Sequence, residues 1–551
     1  MKIQLDWLKE YVDIDVSAEE VGHLLTMAGL EIEAQEIVVL GDGTKTDVLE
    51  LNVTPNRGYC LSYLGVAREV AALLGKPFKF LNHEAELEKN WGPDSIEGEL
   101  TVENQEPELC SRYSGIVIEN VKPGPSPKWL ADRLTAIGLR PINNIVDITN
   151  FVLMEYGQPL HTFDRDLLEN SSIVVRRAAK NEAFTSLDGT ELKLGEDALV
   201  IADASKPVAL AGIMGGANSQ VTESTRHIVL ESASFDSATV RKGSKKYGLR
   251  SDSSIRFERE VDIEGVINAQ ARAALLIKEL AGGTIRKGRV DVYPAPLPDK
   301  KVLLRVSRVN QVLGCSLSAE QIEGYLSRLG MKVSCPEEDE NFNVEIPAFR
   351  PILTREIDLI EEVARLHGFD KVEVTSPSAR ISPVRFTQKQ SAVRCVKDIL
   401  SHIGFSEALT YSFIDAESAR QFQPAFSSVS EVEPISLTNP ISAEMGTMRP
   451  SLVPGLIQSV VRNLGKGQKQ VKIFEFGTVF MRSKQGEREE KTVLAALATG
   501  TYENSVWKQT GKSYDYFDLR GVLDSVAGQM KLGLMERPVS SKPYMLLGKS
   551  V

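Results

Sequence analysis

Two segments, about three hundred residues apart, share one pattern of apolar and polar positions. Residues 17–30 read SAEEVGHLLTMAGL, and residues 318–331 read SAEQIEGYLSRLGM. In each, a serine precedes apolar residues at helical spacing, and a Glu or Gln three positions later can close a capping box. Gly29 and Gly330 follow where a left-handed C-cap is expected. The pattern predicts two small helical modules of related design, although a shared capping pattern alone would also produce the match.

The chain between and beyond these segments mixes helices with strands. We predict helices over 61–74, 267–280 and 392–403. Short β-rich runs bounded by turn residues, such as 185–192 and 199–203, predict strands. The fold class is therefore predicted as α+β and multidomain, with small helical modules of the winged, DNA-binding-like kind beside β-rich parts.

Three segments have the composition of linkers. Residues 84–96 are polar, and prolines are frequent in 294–299 and 376–383. A chain of 551 residues is too long for one hydrophobic core. We predict four domains, which span residues 1–90, 97–296, 298–375 and 385–551.

Composition indicates an ordinary globular protein, with 42% hydrophobic and 25% charged residues. No apolar run approaches the length that crosses a bilayer, and the first residues, MKIQLDWLKEYVDID, lack a signal-peptide core. We therefore expect a cytoplasmic protein. The five cysteines are scattered without a CxxC pair, which argues against a zinc site and against a disulfide framework.

The net charge of -11 disfavours a protein that coats nucleic acid over its whole surface. Local basic segments remain candidates for such contacts. The densest is 241–259, RKGSKKYGLRSDSSIRFER, and a weaker one is 462–472, RNLGKGQKQVK. The alternative is that each segment is only a solvated basic face, as most charge runs are.

The stretch 140–164, RPINNIVDITNFVLMEYGQPLHTFD, sets amides, carboxylates and one histidine within apolar sequence. Buried polar groups cost free energy unless they are hydrogen-bonded. This stretch therefore predicts either a satisfied structural network or a polar pocket. The polar residues in question are Asn143, Asn144, Asp147, Asn150, Gln158 and His161.

Several separated motifs, together with this stretch, resemble the β subunit of bacterial-type phenylalanyl-tRNA synthetase. They occur in the family's order along nearly the whole chain. The motifs are TPNR at 54–57, RPINN at 140–144, QPLHTFD at 158–164, AGIMGG at 211–216, RFER at 256–259, TREIDLIEE at 354–362 and FEFG at 474–477.

The resemblance implies a β subunit that works with an α subunit in an (αβ)2 heterotetramer and binds tRNA(Phe). The α subunit then holds the ATP-dependent charging site, and the β subunit hydrolyses mischarged Tyr-tRNA(Phe). The resemblance also names the domains: an N-terminal module, a B3/B4 editing domain, a B5 domain and a degenerate class II catalytic-like domain with an antiparallel sheet. The alternative is a truncated, non-catalytic scaffold that binds the α subunit or tRNA.

Five residues match the editing site of the family. Glu231 stands where the family places the carboxylate that accepts the phenol proton of tyrosine, and His161 matches a histidine near the reacting ester. Gly212 matches a glycine that leaves room for the aminoacyl group. Ser251 and Ser253 occupy pocket positions where the family has a small hydroxyl residue and an alanine, so Ser253 adds a hydroxyl.

Three carboxylates on one predicted helix, Asp358, Glu361 and Glu362, share a face, as Mg²⁺ ligands would. The resemblance implies a magnesium site at these positions, shared with the α subunit. Ile352 stands where the family has a further aspartate. The alternative is an acidic helix face that pairs with Arg355 and Arg365.

The sequence departs from the family at two places. Between Val38 and Asp47 the family inserts an OB domain, whereas here a Gly-Asp-Gly turn is consistent with a tight hairpin. The chain stops at Val551, before the last strands of the class II-like domain and the anticodon-reading domain of the family. An open sheet edge promotes association, so we expect poor solubility when the chain is expressed alone.

Overall fold

The computed structural model describes residues 1–41, 43–335, 341–422, 433–482, 487–501 and 511–534. Asp42 and the last residues, 535–551, on which part of the comparison with the family rested, lie outside the described residues. The chain divides into two compact units, Met1–Ser376 and Pro377–Val551. Among the described helices, none has the length and apolar character that a bilayer span requires.

The N-terminal module combines a small antiparallel sheet, in the order β1-β3-β2, with helices. Trp7 stacks on Tyr63 and Phe151, with ring centroids 3.7 and 4.5 Å apart, and forms the centre of its core. Strands β2 and β3 form the predicted hairpin, since Val39 pairs with Lys45. The elements are β1 Lys2–Gln4, α1 Leu5–Leu8, α2 Ala18–Met27, β2 Ile32–Val39, β3 Lys45–Leu51, α3 Tyr63–Leu74 and α4 Glu84–Lys89.

The structure confirms the two helices that were predicted from their caps. The Ser17 hydroxyl accepts a hydrogen bond from the Glu20 backbone N–H, and Gly29 has a φ of 87°. Ahead of the later helix, Ser318 forms both hydrogen bonds of a capping box. The predicted linker 84–96 is wrong in its first part, because α4 forms there with Leu87 fully buried.

The middle of the first unit is a pair of stacked sheets. One has the order β14-β5-β13-β6, with β15 also on β5, and the other has the order β12-β11-β10-β7-β4. The strands of these two sheets are β4 Thr101–Asn104, β5 Cys110–Glu119, β6 Leu160–Asp164, β7 Ser172–Arg177, β10 Leu199–Ala202, β11 Pro207–Leu210, β12 Met214–Gly215, β13 His227–Phe235, β14 Thr284–Ile285 and β15 Val290–Val292. A separate antiparallel pair is formed by β8 Glu182–Thr185 and β9 Glu191–Leu194.

Each face of β13 packs on a different layer. Val229 and Ala233 lie in the apolar core shared with the second sheet. Leu230, on the opposite face, packs with the helices, and Gln270 donates a 2.9 Å hydrogen bond to its carbonyl oxygen. The helices are α5 Lys128–Ala136, α6 Asn144–Tyr156, α7 Ser237–Tyr247, α8 Asp252–Phe257 and α9 Gly265–Leu280.

A third core of the first unit lies under a small antiparallel sheet, in the order β16-β18-β17, with three helices. Its elements are β16 Lys300–Arg305, α10 Val306–Leu313, α11 Ala319–Arg328, β17 Lys332–Ser334, β18 Asn341–Ile346 and α12 Glu356–His367. The coarse prediction of a mixed α and β chain with several cores is thus confirmed.

The second unit is centred on one long antiparallel pair, β22 and β23, which is extended by a short parallel strand, β19. Strands β20 and β21 form a separate pair. The predicted helix 392–403 is present as part of α13. The elements are α13 Gln388–His402, β19 Ser406–Glu407, β20 Phe413–Ile414, α14 Ala416–Gln421, β21 Thr447–Met448, α15 Val453–Gly465, β22 Gln470–Arg482, β23 Arg488–Gly500 and α16 Tyr516–Met530.

Candidate functional site

Two of the predicted site residues meet on neighbouring strands. In the central strand β13, Glu231 lies directly opposite His161 of β6 on one side and Gly115 of β5 on the other. Directly opposed residues of antiparallel strands project to the same sheet face. Both side chains therefore face the space between the two stacked sheets.

Glu231 is a buried carboxylate with a phenol as its hydrogen-bond partner. Glu231 is only 6% exposed, and Tyr113 is fully buried. The Tyr113 hydroxyl donates a 2.8 Å hydrogen bond to Glu231 Oε2. Burial raises the pKa of Glu231 to about 7, while the Tyr113 hydroxyl acts in the opposite direction. Near neutral pH this carboxyl is therefore close to half ionised.

The ring of His161 is held without a polar partner. It lies edge-on to Phe163, with centroids 4.6 Å apart, and its Nε2 is buried with no hydrogen-bond partner in the part of the chain that the structure describes. Burial lowers the pKa of His161 to about 4, so the imidazole is neutral at pH 7. His161 belongs to strand β6, so its backbone is held by the sheet and not by a loop.

Gly215 of β12 limits the position of this ring. A Cβ added to Gly215 would lie 2.5 Å from His161 Cε1 and 2.9 Å from Nε2. We expect Gly215→Ala to push the ring from its place and to lower the free energy of unfolding by about 1–3 kcal/mol, measured by urea unfolding. The control is Gly324→Ala, because an added Cβ there meets no atom within 4 Å. Equal effects would mean that Gly215 does not constrain His161.

Gly212 and Ser251 form a second group. Gly212 has a φ of 68°, and a Cβ added to it would lie 3.0 to 3.1 Å from Phe257, Val240 and Phe235. Ser251 caps helix α8 and donates a 2.7 Å hydrogen bond to the Ile213 carbonyl oxygen.

Among the described residues, no hydrogen bond joins this second group to the carboxylate of Glu231. Phe235, beside Gly212, is four residues beyond Glu231 along β13, or roughly 13 Å of extended strand. Ser253 lies in the first turn of α8, and among the described residues no hydrogen bond joins it to either group. The five predicted residues are therefore not joined by one set of hydrogen bonds among the described residues.

Three polar residues of the stretch 140–164 have structural hydrogen bonds, whereas the buried Gln158 Oε1 has no partner among the described residues. Asn143 caps helix α6, and Asn144 bonds to the backbone of Lys122, Gly124 and Leu280. Asp147 accepts the Ile142 backbone N–H at 2.8 Å. The alternative of a satisfied network thus holds for these residues.

A pocket of the first unit lies elsewhere. It has a volume of about 70 Å³ and is lined by Arg68, Gln158 and Asp262, among others, but by none of the five predicted site residues. Hydrogen-bonding geometry and burial, rather than cavity volume, therefore define the candidate site. Sequence reasoning missed Tyr113, because nothing in SRYSGIV separates it from an ordinary core aromatic.

Comparison with known proteins places these features in a family. Residues 109–282 match the family described as "B3/4 domain", residues 302–369 the "tRNA synthetase B5 domain", and residues 372–551 the "Phenylalanyl tRNA synthetase beta chain CLM domain". The proteins named "Phenylalanine--tRNA ligase beta subunit" from Carboxydothermus hydrogenoformans and Geobacter sulfurreducens are 44% and 42% identical over 87% and 93% of this chain. The chain belongs to the family of bacterial-type phenylalanine–tRNA ligase β subunits.

The chain spans about three fifths of the length of these relatives, 59% of the first and 63% of the second. Among solved structures, it is similar to an N-terminal fragment of the phenylalanyl-tRNA synthetase β subunit from Pyrococcus horikoshii. That similarity covers 67% of this chain and 99% of the fragment, with a TM-score of 0.39 and 15% identity.

The three carboxylates proposed for magnesium lie in the segment that matches the B5 family, and each contacts an arginine. Asp358 accepts hydrogen bonds from the Thr354 and Arg355 backbone at the start of α12. Glu361 pairs with Arg57 at 3.0 Å, and Glu362 is buried against Arg350 at 2.6 Å.

These contacts do not fit a metal site. Within the described residues, no group of three or more His, Cys, Asp or Glu side chains is arranged to hold a metal ion. The predicted convergence of the three carboxylates is not observed. The contacts follow the alternative, an acidic helix face paired with Arg355 and Arg365.

In the segment that matches the CLM family, the FEFG motif meets residues 447–451, TMRPS, in a buried ion pair. Arg449 of TMRPS lies 2.7 Å from Glu475 of FEFG, and the Thr410 hydroxyl also bonds to Glu475 at 2.7 Å. Arg449 and Glu475 thus form an ion pair inside the second unit. This arrangement serves the packing of β22 against its neighbours.

The basic segment 241–259 divides into structural and exposed residues. Arg256 is buried and bonds to the Leu61 carbonyl oxygen, and Arg259 bonds to the Val53 carbonyl oxygen. Arg241, Lys242 and Lys245 are exposed on α7. No hydrogen bond or ion pair engages these three side chains among the described residues, so they remain available to an anionic partner.

Proposed function

We propose that the stacked-sheet part of this chain, predicted as the domain 97–296, hydrolyses Tyr-tRNA(Phe). The observation that carries the proposal is the Glu231 carboxylate, buried between the sheets and already bonded to a phenolic hydroxyl within the chain. A carboxylate that accepts the Tyr113 hydroxyl has the chemistry to accept the hydroxyl of a tyrosyl ester.

Selectivity against phenylalanine follows from the cost of an unpaired polar group. Tyrosine supplies a hydroxyl to the buried carboxylate, whereas phenylalanine would bury that carboxylate against an apolar ring edge. A site that hydrogen-bonds a substrate hydroxyl rejects an analogue without that hydroxyl far better than a site that discriminates by the size of the side chain alone. Glu231 is thus proposed to read the one group by which the two amino acids differ.

In the proposed reaction, water adds to the ester carbonyl carbon and the bond to the terminal ribose oxygen breaks, which releases tyrosine and a free tRNA hydroxyl. Neutral His161 binds near this ester and helps to position the water, since its Nε2 has no other described partner. The terminal hydroxyl of the tRNA contributes to the same positioning. No covalent intermediate is required.

The approach of the tRNA is proposed to use the exposed cations of α7. Arg241, Lys242 and Lys245 would contact phosphates, which bind lysine and arginine without regard to sequence. Ser251 joins the adjoining helix α8 to the loop at Ile213, close to Gly212. Gly212, Ser251 and Ser253 are therefore proposed to contact the tRNA end or the aminoacyl group from this side.

The whole protein is proposed to work with an α subunit as an (αβ)2 heterotetramer in the cytoplasm. ATP and Mg²⁺ then belong to the ligation reaction at the α-subunit site. Apolar side chains on α16, Phe517 at 77% and Leu523 at 56% exposure, favour a docking role for the second unit, the predicted class II-like domain 385–551. The exposed apolar side chains of α16 also support the scaffold function. A deacylation assay separates the scaffold function from editing.

The test is a deacylation assay with the full chain, alone and with added α subunit. We expect Tyr-tRNA(Phe) to be hydrolysed well above its spontaneous rate, and Phe-tRNA(Phe) to be spared. His161→Ala should lower the Tyr-tRNA(Phe) rate, while Glu191→Ala, at an exposed strand position, should not. If the full chain with the α subunit hydrolyses neither substrate, the editing proposal fails and the scaffold function stands.

A further inference from the structure

The two oxygens of Glu231 are used unequally. Oε2 accepts the Tyr113 hydroxyl at 2.8 Å, and Oε1 has no hydrogen-bond or ion-pair partner in the described ranges. One oxygen is therefore fixed within the protein, and the other can accept a group from outside. A carboxylate has enough lone pairs to accept both at once.

Tyr113 is held rigidly in the position from which it bonds Glu231. It lies on β5 opposite Ala233, two residues from Gly115, which is itself opposite Glu231. Its hydroxyl thus reaches the carboxylate diagonally across the sheet face. Because Tyr113 is fully buried in the core between the sheets, its ring cannot leave without unpacking that core.

We propose that Tyr113 is a positioning residue, whose hydroxyl fixes the Glu231 carboxylate in one orientation and favours its ionised form, so that Oε1 accepts the hydroxyl of a phenol-bearing aminoacyl ester. This inference rests on the proposed function and deepens it. Tyr113 does not touch the substrate in this arrangement; it acts only through Glu231.

The surroundings of Glu231 explain why the Tyr113 hydroxyl has a large effect on the ionisation of this carboxyl. Among the residues that the structure describes, the titratable groups that face it are Tyr113 and Cys110 of β5 and His161 of β6. None of these carries a positive charge at neutral pH, since burial keeps His161 neutral. The Tyr113 hydroxyl is therefore the described group that opposes the effect of burial on the carboxylate.

Removal of that hydroxyl should raise the pKa of Glu231 further. A hydrogen bond to a charged group is worth enough to move a pKa by about one to two units. In Tyr113→Phe, the ionised fraction of Glu231 near pH 7 should consequently fall about 5- to 50-fold. The acceptor for the substrate hydroxyl is then mostly protonated, and hydrolysis of Tyr-tRNA(Phe) slows by a similar factor.

The experiment compares the full wild-type chain and Tyr113→Phe, each with added α subunit, in Tyr-tRNA(Phe) deacylation between about pH 6 and pH 8.5. We expect the midpoint of the acid limb to move up by about one to two units and the deficit to shrink as the pH rises. A loss that is uniform across the pH range, or no loss, would overturn the inference. Tyr325→Phe removes a hydroxyl that contacts His367 at 3.2 Å, and it should leave the profile unchanged.

A second readout needs no substrate. The carboxyl ¹³C signal of Glu231, identified by its loss in Glu231→Gln, gives the titration midpoint directly. An upward shift in Tyr113→Phe supports the inference even if the wild-type chain fails to hydrolyse Tyr-tRNA(Phe), in which case only the proposed function is lost. An unchanged midpoint in Tyr113→Phe contradicts the role of Tyr113, whatever the activity.

Discussion

Replacement of Glu231 by alanine is expected to abolish the preference for Tyr-tRNA(Phe) over Phe-tRNA(Phe). The Glu231 carboxylate is a buried hydrogen-bond acceptor that faces the space between the two sheets. Its Oε1 has no described partner that would compete with the substrate hydroxyl. A hydrogen bond to a charged group contributes about 1.5–3 kcal/mol, which corresponds to roughly 10- to 150-fold in selectivity. We therefore expect the ratio of the two kcat/KM values to fall by that factor.

The variant Glu231→Gln separates shape from charge. Glutamine keeps the volume and one acceptor oxygen, but it has no charge, and its amide can turn a donor toward the substrate hydroxyl. We expect Glu231→Gln to lose most of the preference and to lose the pH dependence that the carboxyl imposes near its pKa of about 7. Glu191→Ala, at an exposed position of β9, is the matched control. An unchanged ratio in Glu231→Ala would remove Glu231 from the recognition site.

The parts of this structure that sequence could predict are those set by neighbours in the chain. Ser17 and Ser318 cap their helices because the bonding partners lie three residues away. Leu87 shows the limit of such reasoning. Its segment is polar enough for a linker, yet it forms helix α4, which packs on the distant helix α9 and buries Leu87 in the shared core.

The candidate site depended on strand register, which local sequence does not contain. Glu231 faces His161 only because β13 pairs with β6 in this register, and a shift of one residue would turn either side chain to the helices. The resemblance to a family named both residues, whereas it did not name Tyr113. Tyr113 enters the site through the pairing of β5 with β13.

The acidic helix shows how a correct local prediction can mislead. Helical spacing brings Asp358, Glu361 and Glu362 to neighbouring positions on α12, and this spacing alone suggests a cation site. The cations that engage Glu361 and Glu362 are side chains, among them Arg57, which comes from about three hundred residues earlier in the chain. No local pattern marks that pairing.

Glu362→Gln is expected to be among the most destabilising single changes in the first unit. Glu362 lies between three arginines, Arg57, Arg350 and Arg365, and its side chain is only 2% exposed. Burial alone would raise its pKa, but the guanidinium groups of Arg365 and Arg350 override burial, and the pKa is lowered. The carboxylate thus stays charged at neutral pH, and its stabilising effect declines progressively as the pH falls below 4.5 toward the lowered pKa.

Glutamine would leave the arginines buried beside a neutral amide. Glu69, which also pairs with Arg365, would then be the remaining carboxylate of the buried cluster. Removal of one partner from a buried ion pair costs about 3–5 kcal/mol, because the remaining charges lose their compensation. The measurement is urea unfolding of the full chain followed by tryptophan fluorescence, since three of the four tryptophans, Trp7, Trp91 and Trp129, belong to the first unit.

The adjacent residue provides the matched control. Glu361 lies on the same helix and contacts the same Arg57, but its side chain is 52% exposed, so water replaces the lost contact in Glu361→Gln. We expect this change to cost no more than about 1 kcal/mol. Similar losses in the two variants would contradict the buried ion network. A small loss in Glu362→Gln, together with a large one in Glu361→Gln, would instead make the exposed carboxylate the essential group of α12.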